Sequence, residues 1–464
     1  MIENFTPSRP INLYRQPSAK RRPAILDRLD AIQEEVELHE QRRTRDEASA
    51  NRFRLCIRAI CLDLFVAMRA DAELCVGIRR DNTGLSKNAA YPDFVSPRPF
   101  IAALEGLIAA GYVLQVSLGN EASGQSSRVK ATHKLHDKLS FCIESAADIV
   151  DVTDPIRLKV GKQGKPKKFL HYEDDTETLR WRANLCRIND NNARYAVKLD
   201  ITPKVRTALE VTRLAEAQEE ARVSREPIQY QRIDINRIRL YRVFNSSDWT
   251  EGGRFYGPWW QSVPRAYRRH ITINDKLTCE HDFSSLHLRL LYAAVGAPVP
   301  NHNDPYSSPY GEAHKSAVKK AFNVMVNAKG RPAQKAVPEF SSSQLNMTWK
   351  RFLDGIAEHH KLISKYFYSG EGTRLQRSDA DIAERVLLWF ADRQYPCLPL
   401  HDSFITYATL DDELPGVMEA MASQYLNLTI PTKRTFLATY NGPTGMVTDD
   451  IGTLLTQWEM THGN

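Results

Sequence analysis

Two aspartates in unlike surroundings offer the most chemistry in this chain. Asp282 lies in Cys279-Glu-His-Asp-Phe-Ser-Ser-Leu-His-Leu-Arg289, which reads as a short strand ending at an acid and running straight into a helix. Asp402 lies in Pro396-Cys-Leu-Pro-Leu-His-Asp-Ser-Phe-Ile-Thr-Tyr407, an apolar approach, a His-Asp pair and an alternating run like the second arm of a hairpin. A carboxylate at a strand end can hold a divalent cation. Phe283 can add its backbone carbonyl, and the free N–H groups of a helix start at Ser284 and Ser285 suit phosphate oxygens. Taken alone, Asp-Phe-Ser-Ser is more simply an N-cap. The second acid changes that balance, because two carboxylates on neighbouring strands suit the metal pair of an in-line phosphoryl transfer.

Other candidates lie between and before them. Lys315-Ser-Ala-Val-Lys-Lys-Ala-Phe-Asn-Val-Met-Val-Asn327 puts Lys315, Lys319, Asn323 and Asn327 at spacing four, on one helical face able to bind a triphosphate. Arg254 follows Gly252-Gly253, where the backbone can approach a nucleic-acid strand closely. His401 precedes Asp402, where a neutral imidazole could reach a phosphate. Gln376, on a helix over Leu375 to Phe390, offers a candidate binding amide. Trp259 and Trp260 read as core.

These residues together resemble the family A nucleic acid polymerases, which include bacterial repair DNA polymerases and the single-subunit phage-type RNA polymerases. The stretch His281 to Arg289 is similar to the first catalytic motif of that family, and Leu400-His401-Asp402-Ser403-Phe404 to its last, in the wording of the RNA polymerase branch. Lys315 to Asn327 resembles the fingers helix. Gly252-Gly-Arg-Phe255 with Gln261-Ser-Val-Pro264, and Leu375-Gln376 with Ala380-Asp-Ile382, match two further segments in the right order. The resemblance covers about residues 235 to 464. It implies an α+β right-hand polymerase with palm, fingers and thumb, in which Asp282, Phe283 and Asp402 hold two Mg²⁺, with Mn²⁺ able to substitute. It also implies that Lys319 stands by the leaving group, Lys315 binds the γ-phosphate, and Arg254 meets the minor groove of the primer-template. Two departures bear on sugar choice. His287 replaces the Glu of the first motif and Asn327 the fingers aromatic that braces it. The expectation is that the Asn327 amide holds the His287 imidazole against C2′, so that dNTPs are preferred.

The remaining chain must position these groups. Of its 464 residues 42% are hydrophobic, enough for two or three domains with real cores, and the net charge of +7 suits a polyanionic partner. Seven cysteines, none in a Cys-x-x-Cys pair, and no long apolar run lead to an expectation of reduced thiols, no membrane association and a cytoplasmic location. Residues 1–50 read as a mobile basic tail and a docking helix, with Leu26, Leu29, Ile32 and Val36 on one face. Residues 51–145 run helix, helix, Gly111 stop and basic hairpin, the order of a winged helix like those of replication initiators. In that reading Ser96 caps the second helix, Arg98 opens its groove-facing side, and Arg128 and Lys130 lie on the wing against phosphate. Protein docking is the other use of such a module, with a replication protein as the partner. Residues 146–235 read as a linker and thumb-like region, with six basic residues between Arg157 and Lys168 forming a phosphate-gripping hairpin or a solvated loop. Residues 236–464 read as palm and fingers.

No carboxylate cluster of a proofreading nuclease is visible before the palm. The expected activity is template-directed DNA polymerisation from dNTPs on a primer-template, in replication of a mobile element, plasmid or phage. The alternatives are a single-subunit-type RNA polymerase or primase-like enzyme, and a DNA-binding initiator or regulator with an inactive palm.

Overall fold

The computed structural model describes residues 8–39, 45–80, 85, 91–119, 126–145, 148–160, 168–224, 230, 232–246 and 248–439. The chain is α+β, and among the described residues no helix is long and apolar enough to cross a membrane.

The N-terminal part contains strands β1 (Ser8–Pro10), β2 (Arg15–Pro17), β3 (Cys75–Ile78), β4 (Val113–Ser117), β5 (Ser127–Ala131) and β6 (Ile149–Asp151). Its helices are α1 (Arg22–Leu38), α2 (Glu47–Ala70), α3 (Pro97–Ala109) and α4 (His133–Ser140). Helix α1 buries Ile25, Leu29, Ile32 and Val36, a stripe one position off the expected one at its start. Leu26 packs only at the edge of this core. Asp46 caps α2 by accepting from the Ser49 N–H at 2.7 Å. Ser96 has the extended backbone of a cap, but its side chain makes no capping bond. Gly106 lets α1 and α3 close together, since a Cβ there would come within 2.5 Å of the Val36 side chain. Gly111, at φ +75°, ends α3 as expected. One sheet runs β1-β3-β5-β4, with β3, β5 and β4 antiparallel and β1 added parallel to β3.

The expected mobile tail is corrected from Ser8 onward. Asp63 is fully buried in the middle of α2, and an unpaired carboxylate there would be costly. The N-terminal strand satisfies it. Arg9 donates to both Asp63 oxygens at 2.7 and 2.9 Å, Arg15 Nε donates at 2.7 Å and the Asn12 N–H at 3.0 Å.

The rest is built on β7 (Ile156–Val160), β8 (Lys168–Leu170), α5 (Thr176–Asn192), β9 (Val197–Leu199), α6 (Pro203–Ser224), β10 (Tyr241–Asn245), β11 (Asp248–Tyr256) and β12 (Ile271–Ile273). The expected boundary near residue 235 cuts through two sheets, because β10 pairs with β7 in the order β11-β10-β7-β8 and β12 pairs with β9. The separate linker is therefore corrected to an integral part of the C-terminal half. The cause is apolar: Ile156, Leu158, Trp181, Leu185 and Ile188 share one core with Phe244, Phe322 and Phe390. Most of the basic hairpin expected between Arg157 and Lys168 lies outside the described residues. Arg157 itself stacks on Tyr241 with its guanidinium 3.7 Å from the ring centre.

The last sheet carries the site. Strands β13 (Thr278–Phe283), β14 (Leu398–Leu400), β15 (Ser403–Tyr407) and β16 (Thr432–Leu437) form an antiparallel sheet in the order β14-β15-β13-β16. Around it stand α7 (Leu286–Ala294), α8 (Lys315–Asn327), α9 (Trp349–His359), α10 (Gly372–Asp392) and α11 (Glu413–Leu426). Alternation along β13 sends Cys279 and Phe283 into the large core, and Glu280 and Asp282 to the other face. Trp259 and Trp260 are buried against that second face, as expected of core residues.

Candidate functional site

Asp282 and Asp402 meet at one end of β13 and β15. Asp282 is paired in register with Ser403, and the Phe283 N–H donates to the Asp402 carbonyl at 3.2 Å. That bond ties the two acid-bearing backbones together. Asp402 occupies a two-residue hairpin turn with His401, which takes φ +66° to close it. Ser285, at φ +55°, turns the chain sharply from β13 into α7. Both acids are held by backbone that is tightly constrained on each side.

Their electrostatics are those of crowded carboxylates. Burial, and then the charge of Asp402, push the Asp282 carboxyl up to about 7, with Lys319 pulling the other way. Asp282 Oδ1 is buried and has no hydrogen-bond partner among the described residues. Glu280, on the same face, is satisfied at one oxygen by Ser403 Oγ at 2.9 Å and Arg268 Nη1 at 3.0 Å. An orphaned carboxylate oxygen beside a second acid, with a backbone carbonyl next in the strand, fits a hard divalent cation.

Helix α8 spans Lys315 to Asn327 as the spacing predicts. Ala317, Val318, Ala321, Phe322, Met325 and Val326 are buried, which leaves the Lys315, Lys319, Asn323 and Asn327 face toward solvent. Lys319 is exposed and its charge reaches Asp282. Lys315 is engaged, at 2.5 Å from Asp304 and 3.0 Å from Glu312. Tyr306 was not legible as a site residue. It is buried against Phe322, and burial followed by the Asp402 charge raises its phenol.

A second group adjoins the acids. Arg254 of β11 donates through Nε to Asp379 Oδ2 at 2.8 Å and a second time through Nη2. His287 Nε2 is 3.1 Å from the same oxygen and 3.2 Å from Arg254 Nη2. The expected brace between His287 and Asn327 is therefore corrected. The Asn327 amide donates instead to the Asn323 carbonyl at 2.7 Å, and its oxygen fills the space beside Gly372, where a Cβ would lie 1.9 Å away. Asp379 is the residue that sequence reasoning missed, although it left a signal: a carboxylate four residues after Leu375 on the apolar stripe of α10, where only 2% of it is exposed. Gln376 is half-buried one turn earlier on the same helix.

His401 stacks edge-on against Tyr256 at 5.4 Å, and burial, then Arg254, push its imidazole below the ordinary value. On the opposite face of β13, Cys279, His281 and Asp411 also gather within 4.8 Å. There His281 and Arg434 already bind Asp411 at 2.8 and 2.6 Å, so the carboxylate is satisfied. In the N-terminal part, Arg98 is exposed at the start of α3, Arg128 is half-buried and Lys130 is bound to Glu73 at 3.1 Å.

No protein-family model and no curated protein matches this chain. Among solved structures, the POL domain of Pol1 from M. smegmatis, in complex with DNA primer-template and dNTP, is similar at 12% identity and a TM-score of 0.28. The overlap covers 42% of this chain and 47% of that one, so the chain spans under half of its length. The chemistry of the site stands on its own residues.

Proposed function

We propose that this chain is a template-directed nucleotidyl transferase of the family A type that adds dNTPs to a primer 3′-hydroxyl on DNA. The observation that carries this reading is the pair Asp282 and Asp402, fixed at one end of an antiparallel ladder, one of them short of a partner and facing the lysine of a solvent-open helix. Bound by Asp282, Asp402 and the Phe283 carbonyl, two Mg²⁺ would supply the Lewis acidity that ionises the primer hydroxyl and neutralises the triphosphate.

The chain's own groups do the rest. Lys319 stabilises charge on the leaving pyrophosphate. Lys315, once released from Asp304, binds the terminal phosphate, and Asn323 and Asn327 offer amides along the same face. Arg254 and Gln376 position primer and template, and His401, neutral, donates one hydrogen bond to the primer phosphate. The N-terminal sheet of β3, β5 and β4 with α2 and α3 supports a winged-helix module. Arg98 and Arg128 are its candidate phosphate contacts, and Lys130 would first have to leave Glu73.

Primer extension with dNTPs or rNTPs, with and without Mg²⁺, tests the reading. Templated, Mg²⁺-dependent addition is the expected result. No addition with either sugar would overturn it.

A further inference from the structure

The two faces of β13 carry different donors. Alternation puts Glu280 and Asp282 on one face and Cys279 and His281 on the other. The first face offers oxygen alone. The second offers a thiol and an imidazole, both buried, and Asp411 joins them from the end of the 3-10 turn Ala408–Leu410 that follows β15. A ligand atom of each of these three residues lies within 4.8 Å of the others.

A bulge completes the group. The pairing of β16 with β13 shifts register between Glu280 and His281, so that Phe436 lies opposite Glu280 and Arg434 opposite His281. Phe436 is buried with Trp259 and Trp260 on the first face. In a regular strand Arg434, two positions away, would share that face. The extra residue, Thr435, turns it to the second face, where Nη1 donates to Asp411 Oδ2 at 2.6 Å. Asp411 Oδ1 is left to His281 Nε2 at 2.8 Å. One carboxylate oxygen is therefore held by a guanidinium at the solvent edge, and the other faces the imidazole.

The thiol is at odds with this neighbour. Burial, then the charge of Asp411, push the Cys279 thiol up to about 12, and Sγ donates weakly to the Tyr407 carbonyl at 3.4 Å. A cation among the three donors removes the conflict, since it offsets the carboxylate charge and takes the sulfur as thiolate.

We propose that Cys279, His281 and Asp411 bind one divalent cation of the zinc class, at a structural site on the face of β13 opposite the paired acids. Thiolate, imidazole and carboxylate together suit Zn²⁺ or Co²⁺ and discriminate against Mg²⁺, which takes oxygen donors. Ligand bonds of about 2.0–2.3 Å set the donors of a tetrahedral ion roughly 3.3–3.6 Å apart, a spacing that side-chain rotations reach without moving the strands. The Sγ–metal bond forms as the thiol proton passes to water, and His281 presents the lone pair of Nε2 to the ion. Arg434 keeps Oδ2 and orients the ligating carboxylate, and water takes the fourth position. The ion thereby joins β13 to the segment leaving β15, the strands beside Asp282 and Asp402.

Cobalt is the probe. The full chain, stripped with EDTA and titrated with Co²⁺, should gain a thiolate-to-cobalt charge-transfer band and the visible bands of a tetrahedral ion at one equivalent, lost on adding Zn²⁺ but not excess Mg²⁺. Cys279→Ser should abolish the charge-transfer band. His281→Asn and Asp411→Asn should each weaken binding by more than about a hundredfold, and Arg434→Gln, which removes only the support of the carboxylate, by about tenfold. Asp282→Ala, on the other face, should leave the band in place. Zn²⁺ should raise the urea midpoint of wild type and not of Cys279→Ser. No charge-transfer band in wild type, or a band that persists in Cys279→Ser, overturns the proposal. If Cys279→Ser does not fold, His281→Asn and Asp411→Asn are read by the same titration, and wild-type affinity in either overturns it. None of these measurements uses primer extension, so a chain that binds no cobalt leaves the nucleotidyl-transfer reading standing, and a chain that adds no nucleotide leaves this site standing.

Discussion

Asp63 and Asp282 are both carboxylates drawn into the interior, and they end in opposite states. Asp63, in the middle of α2, has four donors from Arg9, Arg15 and Asn12 at 2.7 to 3.0 Å. Burial alone would raise its carboxyl, and the two guanidiniums outweigh that and hold it below the ordinary range. Asp282 is less deeply placed and, among the described residues, has no guanidinium in contact and one orphaned oxygen, with a second acid beside it. A buried acid whose bonds are complete fastens a scaffold. One left incomplete by a like charge is a place kept for a cation.

The largest expected effect breaks the incomplete side of that contrast. Asp282→Ala or Asp402→Ala should reduce nucleotide incorporation by on the order of a thousandfold or more, since each removes transition-state charge stabilisation worth several kcal/mol. Primer-template affinity should change little. Single-turnover extension measures this, and activity within about tenfold of wild type in either variant would end the two-metal assignment.

Breaking the complete side costs stability instead of turnover. Asp63→Ala removes the buried carboxylate that Arg9 and Arg15 share and leaves Arg9 only its ion pair with Asp234 at 3.1 Å, a loss of about 3–5 kcal/mol. Urea unfolding followed by hydrogen exchange in α2 reads it directly. A change under about 1 kcal/mol would mean the N-terminal strand is held by packing alone.

The same contrast fixes the signs of two pH dependences. Asp63 has a depressed carboxyl, so its contribution is present above the ordinary carboxylate range and is lost as pH falls below it. Asp282 is raised from 3.8 to about 7, so its protonated form favours folding below that window and the contribution is lost as pH rises through it. In metal-free protein the C-terminal half should therefore weaken between about pH 4 and 7, while the N-terminal half does not. Asp282→Asn, or added Mg²⁺, should flatten that slope in a urea titration of the C-terminal half. A slope that survives both would place its origin in another group.

Much of this arrangement was legible because the relevant signals are local. The α8 face follows from spacing four, the α3 stop from Gly111, and the β14–β15 turn from an apolar run broken by His-Asp. What escaped was non-local. The strand Ser8–Pro10 looks like a basic tail until Asp63, more than fifty residues on, requires its arginine. Residues 156–199 look like a linker until β10 and β12 supply their partners. His287 was read with the wrong partner for the same reason. The family resemblance placed it opposite Asn327, but its partner is Asp379 on α10, and an aspartate on an apolar stripe announces a partner without saying which.

Between a finished ion cluster and an unfinished one lies Lys315, which has partners it must be able to leave. It is bound to Asp304 and Glu312 at the mouth of α8, with 39% of its side chain exposed, and those bonds raise its ammonium above the ordinary value. A pair this open is worth only about 0.2–1 kcal/mol. If Lys315 must release Asp304 to reach a terminal phosphate, then Asp304 competes with the nucleotide. Asp304→Asn should lower KM for dNTP by less than about fivefold and leave kcat unchanged, because the competing ion pair exists only before the nucleotide binds. Lys315→Ala should raise KM and be insensitive to a further Asp304→Asn. A rise in KM on Asp304→Asn would reverse the assignment, making the aspartate a support that holds the lysine where the phosphate arrives.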